Sequence, residues 1–299
     1  MNKGVWNGLA AYVMWGFFPI YWKLLHEVSA LQVIGHRIGW SFLLLVAVIL
    51  LTKQWNEFRS AALAPKVIGI YAIAGILLTV NWLIYVWGVN SGFIVETSLG
   101  YFINPLISVL LGVLFLRERL RTMQWIPVGL AALGVIYLTV TYGRPPWIAL
   151  SLAFSFGIYG LVKKLAPLGS LYGLTLETAL VFPFALIYLL FVQSTDTGAF
   201  LHQGVLTDIL LIGTGAVTSI PLLMFATAAR QIPLTMIGIL QYIAPTLQFL
   251  IGVFLYHEPF DRSRLIGFAL VWLALIIFWV ENYLVNRIVV QPIPEMGEG

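Results

Sequence analysis

The chain has 299 residues, 61% hydrophobic and only 9% charged, with a mean hydropathy of +0.96; so few charges cannot cover a soluble domain of this length, which leaves an integral membrane protein. A net charge of +4 invites a nucleic-acid partner, but the Lys and Arg lie in short runs between apolar stretches and read as topology determinants. There is no cysteine, which excludes disulfides, thiolate metal sites and a cysteine nucleophile.

A bilayer-spanning helix takes about 20 apolar residues. Ten segments meet that length: Gly4–Leu25, Leu31–Leu51, Lys66–Gly88, Gly92–Leu116, Gln124–Tyr142, Pro146–Leu165, Leu171–Val192, Gly204–Ala228, Pro233–Tyr256 and Arg264–Leu284. The first begins after Lys3, as a signal peptide would. It is long, carries Trp15, Trp22 and Lys23 and has no small-x-small cleavage site, so it reads as a retained transmembrane helix. Internal Pro and Gly are tolerated in lipid, where neighbouring helices satisfy the freed backbone groups. Residues 288–299, with Pro292 and Pro294, read as a disordered tail.

Positive charge orients the segments. With the N-terminus inside, the inner connections hold Lys3, Lys53, Arg59, Lys66, Arg117, Arg119, Arg121, Lys163, Lys164, Arg230 and Arg287. The outer ones hold only Arg144, Arg262 and Arg264. Both termini are therefore expected in the cytoplasm.

The chain also repeats itself. A shift of 140 positions lays Asn104-Pro105, Gly112 and Glu118 on Ala244-Pro245, Gly252 and Glu258. The same shift lays Arg37 on Glu177, Tyr85 on Phe225 and Phe102 on Tyr242; one residue out of register, Gly16 and Lys23 fall on Gly157 and Lys164. The expected domains are two repeats, 1–143 and 144–287, of five helices each. An odd number of spans inverts the second copy, the architecture behind alternating access in many secondary transporters. The expected fold is all-α, with ten transmembrane helices as two inverted five-helix repeats.

Several runs carry a family resemblance. They are Gly8-Leu9-Ala10-Ala11-Tyr12-Val13-Met14-Trp15-Gly16, His36-Arg37-Ile38-Gly39-Trp40-Ser41 and Asn81-Trp82-Leu83-Ile84-Tyr85-Val86-Trp87. With them go Gly100-Tyr101-Phe102-Ile103-Asn104-Pro105-Leu106 through Arg117-Glu118-Arg119-Leu120, and Gln241-Tyr242-Ile243-Ala244-Pro245-Thr246 through His257-Glu258-Pro259-Phe260. Their combination and order resemble the drug/metabolite transporter superfamily, its EamA family and, within it, the RarD-like permeases, over nearly the whole chain. The resemblance implies an inner-membrane permease that moves small metabolites such as amino acids, or drugs, commonly outward. A link to chloramphenicol sensitivity attaches to the family name and fixes no substrate.

Ionisable groups inside a membrane helix cost about 2.5–3.5 kcal/mol and persist where they face a cavity or a partner. His36 and Arg37 lie roughly 10 Å in from the outer end of the second segment, and Glu96 about one turn into the fourth. One reading has Arg37 bind a substrate carboxylate by bidentate hydrogen bonds while Glu96 competes for it or takes up a proton. The other is a structural pair or a snorkelling Arg. Glu177, the register partner of Arg37, lies near Lys163 and Lys164, and opposite charges at equivalent positions suit gates that break alternately. The bland reading of the two lysines is topology alone. Pro105 and Pro245 free backbone carbonyls within their helices, and Tyr101, Asn104, Gln241 and Tyr242 cluster around them, with Asn81 and Ser219 adding polar groups; together they are expected to line a cavity. Tyr85 is the deepest of the aromatics Trp82, Tyr85 and Trp87, which could stack on a planar or cationic substrate. Gly112, Gly129, Gly134 and Gly252 are read as sites of close helix contact. Glu118 and Glu258 are expected to brace helix ends.

No Gly-x-x-x-x-Gly-Lys-Ser/Thr loop is present, so ATP is not the direct drive, and the plausible intramembrane proton carriers are Glu96, Glu177 and His36. The histidines His26, His36, His202 and His257 are scattered and form no His-Glu-x-x-His pattern, so neither a metal, a cofactor nor catalysis is expected. A scaffold or receptor leaves the duplication and the buried charges unexplained. The remaining rival is a flippase for lipid-linked or amphipathic cargo. The expected partners are the bilayer, a small molecule and protons.

Overall fold

The computed structural model describes residues 3–90, 94–142, 147–256 and 262–289, and among these there are thirteen α-helices and no strand. Helices α1 (Lys3–Gly16) and α2 (Phe18–Lys23) share the first predicted segment. The chain breaks at Phe17, and Pro19 lands in the first turn of α2, where no backbone N–H is needed. Helix α3 (Ala30–Leu51) starts on Ser29, whose hydroxyl accepts the Gln32 N–H as an N-cap. Helix α4 (Trp55–Ala62) was not predicted, being too short and polar to register as a span. It is amphipathic and packs Phe58 and Ala62 against Ile49, Tyr71 and Leu176.

Helices α5 (Pro65–Asn90) and α6 (Ile94–Phe115) follow. A 3-10 turn at Thr122–Gln124 leads into α7 (Trp125–Tyr142), and then come α8 (Trp147–Leu165), α9 (Ser170–Ser194) and α10 (Val205–Gln231). The ninth predicted segment is again composite: α11 (Leu234–Leu240), α12 (Ile243–Leu250) and a π-helical turn at Ile251–Leu255. Helix α13 (Arg262–Val289) takes in the first two residues of the predicted tail. Residues 290–299, His257 and Glu258, and the side chain of Glu96, lie outside the described residues.

Among the described residues, five helical stretches are long and apolar enough to cross a bilayer: Ala30–Leu51, Pro65–Tyr85, Trp147–Leu165, Ser170–Ser194 and Val205–Gln231. Their outer faces are apolar as well. On α9 the row Phe184, Ile187 and Phe191 is 73%, 67% and 62% exposed, as expected of a face in contact with lipid.

The helices form two units, α1–α6 with α8–α12, and α7 with α13. In the second unit α7 packs along α13, and Arg121 Nη1 donates to Glu281 Oε1 at 3.2 Å. In the first, α1 packs on α10 and on α11 and α12, while α8 packs on α5 and on α6. Helix α3 packs on α9 and α10, and α5 on α9. Small residues permit these approaches. A Cβ on Gly16 would stand 2.6 Å from the Leu247 side chain, and one on Gly157 would stand 2.7 Å from Ile107. Those two contacts are themselves related, because Ile107 and Leu247 are 140 positions apart. Gly112 makes room for the Glu118 carboxylate, at 2.7 Å from such a Cβ. Gly129 departs from the expectation: nothing lies within 4 Å of it, so it mediates no close contact among the described residues.

Candidate functional site

A small cavity of about 20 Å³ lies where α3, α5, α9 and α10 meet. Each helix turns one face to it, through positions three and four apart: Leu78, Thr79 and Trp82 on α5; Leu174, Glu177, Thr178 and Val181 on α9; Thr218, Ser219 and Leu222 on α10. Arg37, Ile38 and Ser41 complete it from α3, and Gly75 from α5. Twelve of these fourteen residues fall into six pairs separated by 140 positions. They are Arg37 and Glu177, Ile38 and Thr178, Ser41 and Val181, Leu78 and Thr218, Thr79 and Ser219, and Trp82 and Leu222.

Arg37 packs its guanidinium against two indoles, 4.7 Å from the Trp22 ring centroid and 4.2 Å from that of Trp82. Its Nε donates to Thr218 Oγ1 at 3.0 Å. Tyr85 and Tyr101, in edge contact with ring centroids 5.7 Å apart, lie within electrostatic reach of it. Contact with indole faces stabilises a cation without neutralising it. Among the described residues no carboxylate oxygen lies within 4.0 Å of this guanidinium. The Nη N–H groups, donors in the guanidinium plane, are the part of Arg37 suited to a planar anion.

Glu177 is paired. Lys163 Nζ donates to its Oε1 at 2.7 Å, and the Tyr159 hydroxyl donates to Oε2 at 3.2 Å. Both charged side chains are buried, 3% exposed for Lys163 and 2% for Glu177. The Lys163 ammonium thus lies inside the protein. The contact is also the register counterpart of the one at Arg37. Trp22 touches Arg37 from the end of the first predicted segment, and Lys163, 141 positions on, touches Glu177 from the end of the sixth.

Lys164 belongs elsewhere. Its Nζ donates to the Ile232 carbonyl at 2.7 Å and the Ala229 carbonyl at 3.3 Å, at the C-terminal end of α10. It lies 3.8 Å from Glu118 Oε1. Glu118 accepts the backbone N–H of Leu234 at 2.7 Å and of Thr235 at 2.9 Å, so it caps the start of α11. Cation at a helix C-terminus and carboxylate at a helix N-terminus both complement the helix dipole. Arg117, in the left-handed region at φ 55°, ends the preceding helix and turns Glu118 back.

The other sequence candidates take separate places. His36 Nδ1 accepts the Trp40 indole N–H at 3.2 Å, with its ring 5.2 Å from Phe200. Asn81 donates to the Leu152 carbonyl at 3.0 Å and to Ser155 Oγ at 2.9 Å, which ties α5 to α8. The Ser108 hydroxyl donates to Gln241 Oε1 at 3.5 Å. Asn104 Oδ1 and the Tyr242 hydroxyl are buried and have no hydrogen-bond partner among the described residues. None of these five lines the cavity that holds Arg37 and Glu177. Pro105 sits inside α6, and its carbonyl would be 2.6 Å from a Cβ on Gly238, so α11 packs directly on this stretch. Pro245 falls instead in the first turn of α12, just after the break at Gln241 and Tyr242, where its missing N–H costs little. The two prolines, equivalent in register, therefore serve different local geometries. The polar residues that sequence reasoning passed over at the cavity are Ser41, Thr79, Thr178 and Thr218. The helix neighbours of Arg37 and their 140-residue shift would have found Ser41 and Thr178, and the same shift applied to Ser219 gives Thr79. Among the described residues no three of His, Cys, Asp and Glu converge as a metal site.

Long apolar helices around a charged interior cavity define a multi-pass membrane protein of the transporter class. The profile of the EamA-like transporter family matches residues 2–140. The uncharacterized transporter YojE of Bacillus subtilis is 48% identical over 93% of both chains. Protein RarD of Streptomyces exfoliatus is 45% identical over 92% of this chain and 88% of its own. A solved crystal structure, 16% identical, superposes with a TM-score of 0.67 over 92% of this chain and 97% of that one, and so shares the fold. The chain belongs to the EamA-like transporter family, with RarD and YojE as its near relatives.

Proposed function

We propose that the protein is a secondary transporter of the bacterial inner membrane. It carries small metabolites bearing a carboxylate by alternating access between two inverted repeats, 1–143 and 144–287. The chain crosses the membrane ten times with both termini in the cytoplasm, and it carries its cargo rather than transforming it. One observation carries the reading: the cavity is lined from four helices by residues in 140-residue register, with opposite charges, Arg37 and Glu177, at one equivalent pair. A site shared evenly by two equivalent halves is what a rocking motion of one against the other requires. The packing pairs support it too. Exchanging the halves turns α1 on α10 into α8 on α5, and α1 on α12 into α8 on α6. Arg37 holds the carboxylate, with Tyr85 and Tyr101 behind it. The Lys163–Glu177 pair closes one side of the path, and Glu96, one turn into α6, is the group for proton coupling.

Counterflow in proteoliposomes tests this. Purified protein is loaded with unlabelled carboxylates, amino acids or chloramphenicol and offered the labelled compound, with and without a pH gradient. Saturable exchange of a carboxylate, lost in Arg37→Ala, is the expected result; a pH-gradient effect lost in Glu96→Gln assigns the coupling. No exchange by folded protein across the panel overturns the reading in favour of an amphipathic, lipid-like cargo.

A further inference from the structure

Charge accounting at the cavity narrows the cargo. Among the described residues two charged side chains line it, Arg37 and Glu177, the side chain of Glu96 lying outside them. Glu177 is already matched: Lys163 holds Oε1 at 2.7 Å, and Tyr159 holds Oε2 at 3.2 Å. That pair sums to zero net charge. Arg37 is held by two indole rings and one hydroxyl, all uncharged. The described cavity thus carries one uncompensated positive charge. A half-buried cation that lines an interior cavity favours an anion to pair with it. A zwitterion would satisfy Arg37 but would bring its own ammonium into a site whose one carboxylate among the described residues, Glu177, is already paired with Lys163.

We propose that the cavity selects a singly charged organic anion over the zwitterion of the same shape, and that Lys163, which does not line the cavity, sets this choice by neutralising Glu177. Lys163 is a positioning residue here. The inference rests on the cavity being the transport site, and it sharpens the cargo from any carboxylate-bearing molecule to one of net charge −1. The Ser41, Thr79 and Thr178 hydroxyls already donate to the carbonyls of Gly215, Gly75 and Leu174. The donor the remaining lining offers such a ligand is the Ser219 hydroxyl, which is buried without a hydrogen-bond partner among the described residues.

The test uses compounds that differ in charge and hardly in shape. In the isobutyl series these are 4-methyl-2-oxopentanoate (−1), leucine (0) and isobutylmalonate (−2). In the benzyl series they are phenylpyruvate, phenylalanine and benzylmalonate. Counterflow of each is measured for wild type, Lys163→Gln, Glu177→Gln, the double variant Lys163→Gln/Glu177→Gln, and Arg37→Gln. Wild type is expected to favour the monoanion over the zwitterion by about tenfold or more, the scale of one charge-assisted contact. Lys163→Gln frees the Glu177 carboxylate and moves the preference to the zwitterion. Glu177→Gln frees the Lys163 ammonium and moves it to the dianion. The double variant restores the cavity's net charge and with it the wild-type order, a readout that a merely structural role for the pair would not produce. It also keeps the test decisive if either single variant fails to fold, since removing one partner of a buried pair is the damaging change.

A wild type that prefers leucine or phenylalanine, with exchange still abolished by Arg37→Gln, overturns the charge selection and leaves the cavity as the transport site. A double variant with inverted preference overturns it as well. Exchange by wild type that Arg37→Gln leaves intact overturns the cavity assignment and this inference together, as does the absence of exchange of all six compounds by folded wild type.

Discussion

Arg37 shows how much of a side chain's role depends on geometry rather than charge. It touches two flat rings and donates from Nε to a hydroxyl, and an ammonium cannot reproduce that combination. Arg37→Lys is therefore expected to weaken apparent affinity for a transported carboxylate by about 10- to 100-fold, the range for hydrogen bonds to a charged group. Thr218→Val removes only the Nε contact and should cost several-fold less, as a substrate titration in counterflow would show. At Glu118 the expected effect is on stability. Its carboxylate caps α11 through two backbone N–H groups, and Glu118→Ala leaves both unpaired. A loss of about 1–2 kcal/mol, the scale of an N-cap, should appear as a lower thermal midpoint in detergent. An unchanged midpoint would mean that water replaces the cap.

Among the helices, glycine separates the contacts that matter from the ones that do not. A Cβ on Gly215 would stand 2.6 Å from the backbone carbon of Trp40, and backbone cannot swing aside as a side chain can. Gly215→Ala should push α10 off α3, destabilise the protein by about 1–3 kcal/mol and disturb the cavity wall next to Thr218. Gly129→Ala, with nothing within 4 Å, should be neutral or stabilising by up to about 1 kcal/mol through helix propensity. Measuring both in one thermal unfolding assay makes each the control for the other. In the sequence these glycines look alike, because a Gly inside an apolar helix shows that space is allowed and not whether another helix fills it. The prolines carry the same lesson: Pro105 and Pro245 match in register, yet one sits within α6 and the other opens α12.

At the scale of the molecule, the proposed topology is open to direct labelling, since the chain has no cysteine of its own. A single cysteine in place of Lys53 or Arg119 should resist a membrane-impermeant thiol reagent in intact cells and react once the membrane is opened. One in place of Gln203 should react from outside. Labelling of the Lys53 or Arg119 variants in intact cells would invert the orientation read from positive charge. The division into two units adds something the repeat alone does not. Each proposed half gives one helix, α7 or α13, to the second unit and keeps its others in the first.

Membrane class and the family were legible in the sequence, as was the 140-residue register on which the proposed repeats rest. They rest on composition, run length and spacing, which are one-dimensional properties. Arg37, Glu177 and Lys163 could be singled out there as well, because charge is costly in apolar helices wherever it stands. Only the tertiary structure decided which groups meet. It placed Lys163 on Glu177 and Trp22 and Trp82 on Arg37, sent Lys164 to the end of α10, and left Asn81, Asn104, Gln241 and Tyr242 off the cavity. The reason is physical. A helix that faces lipid on one side and packed helices on the other is apolar all round, so its sequence does not mark its inward face. That face is chosen by partners distant in the chain, through close packing and the need to pair every buried polar group.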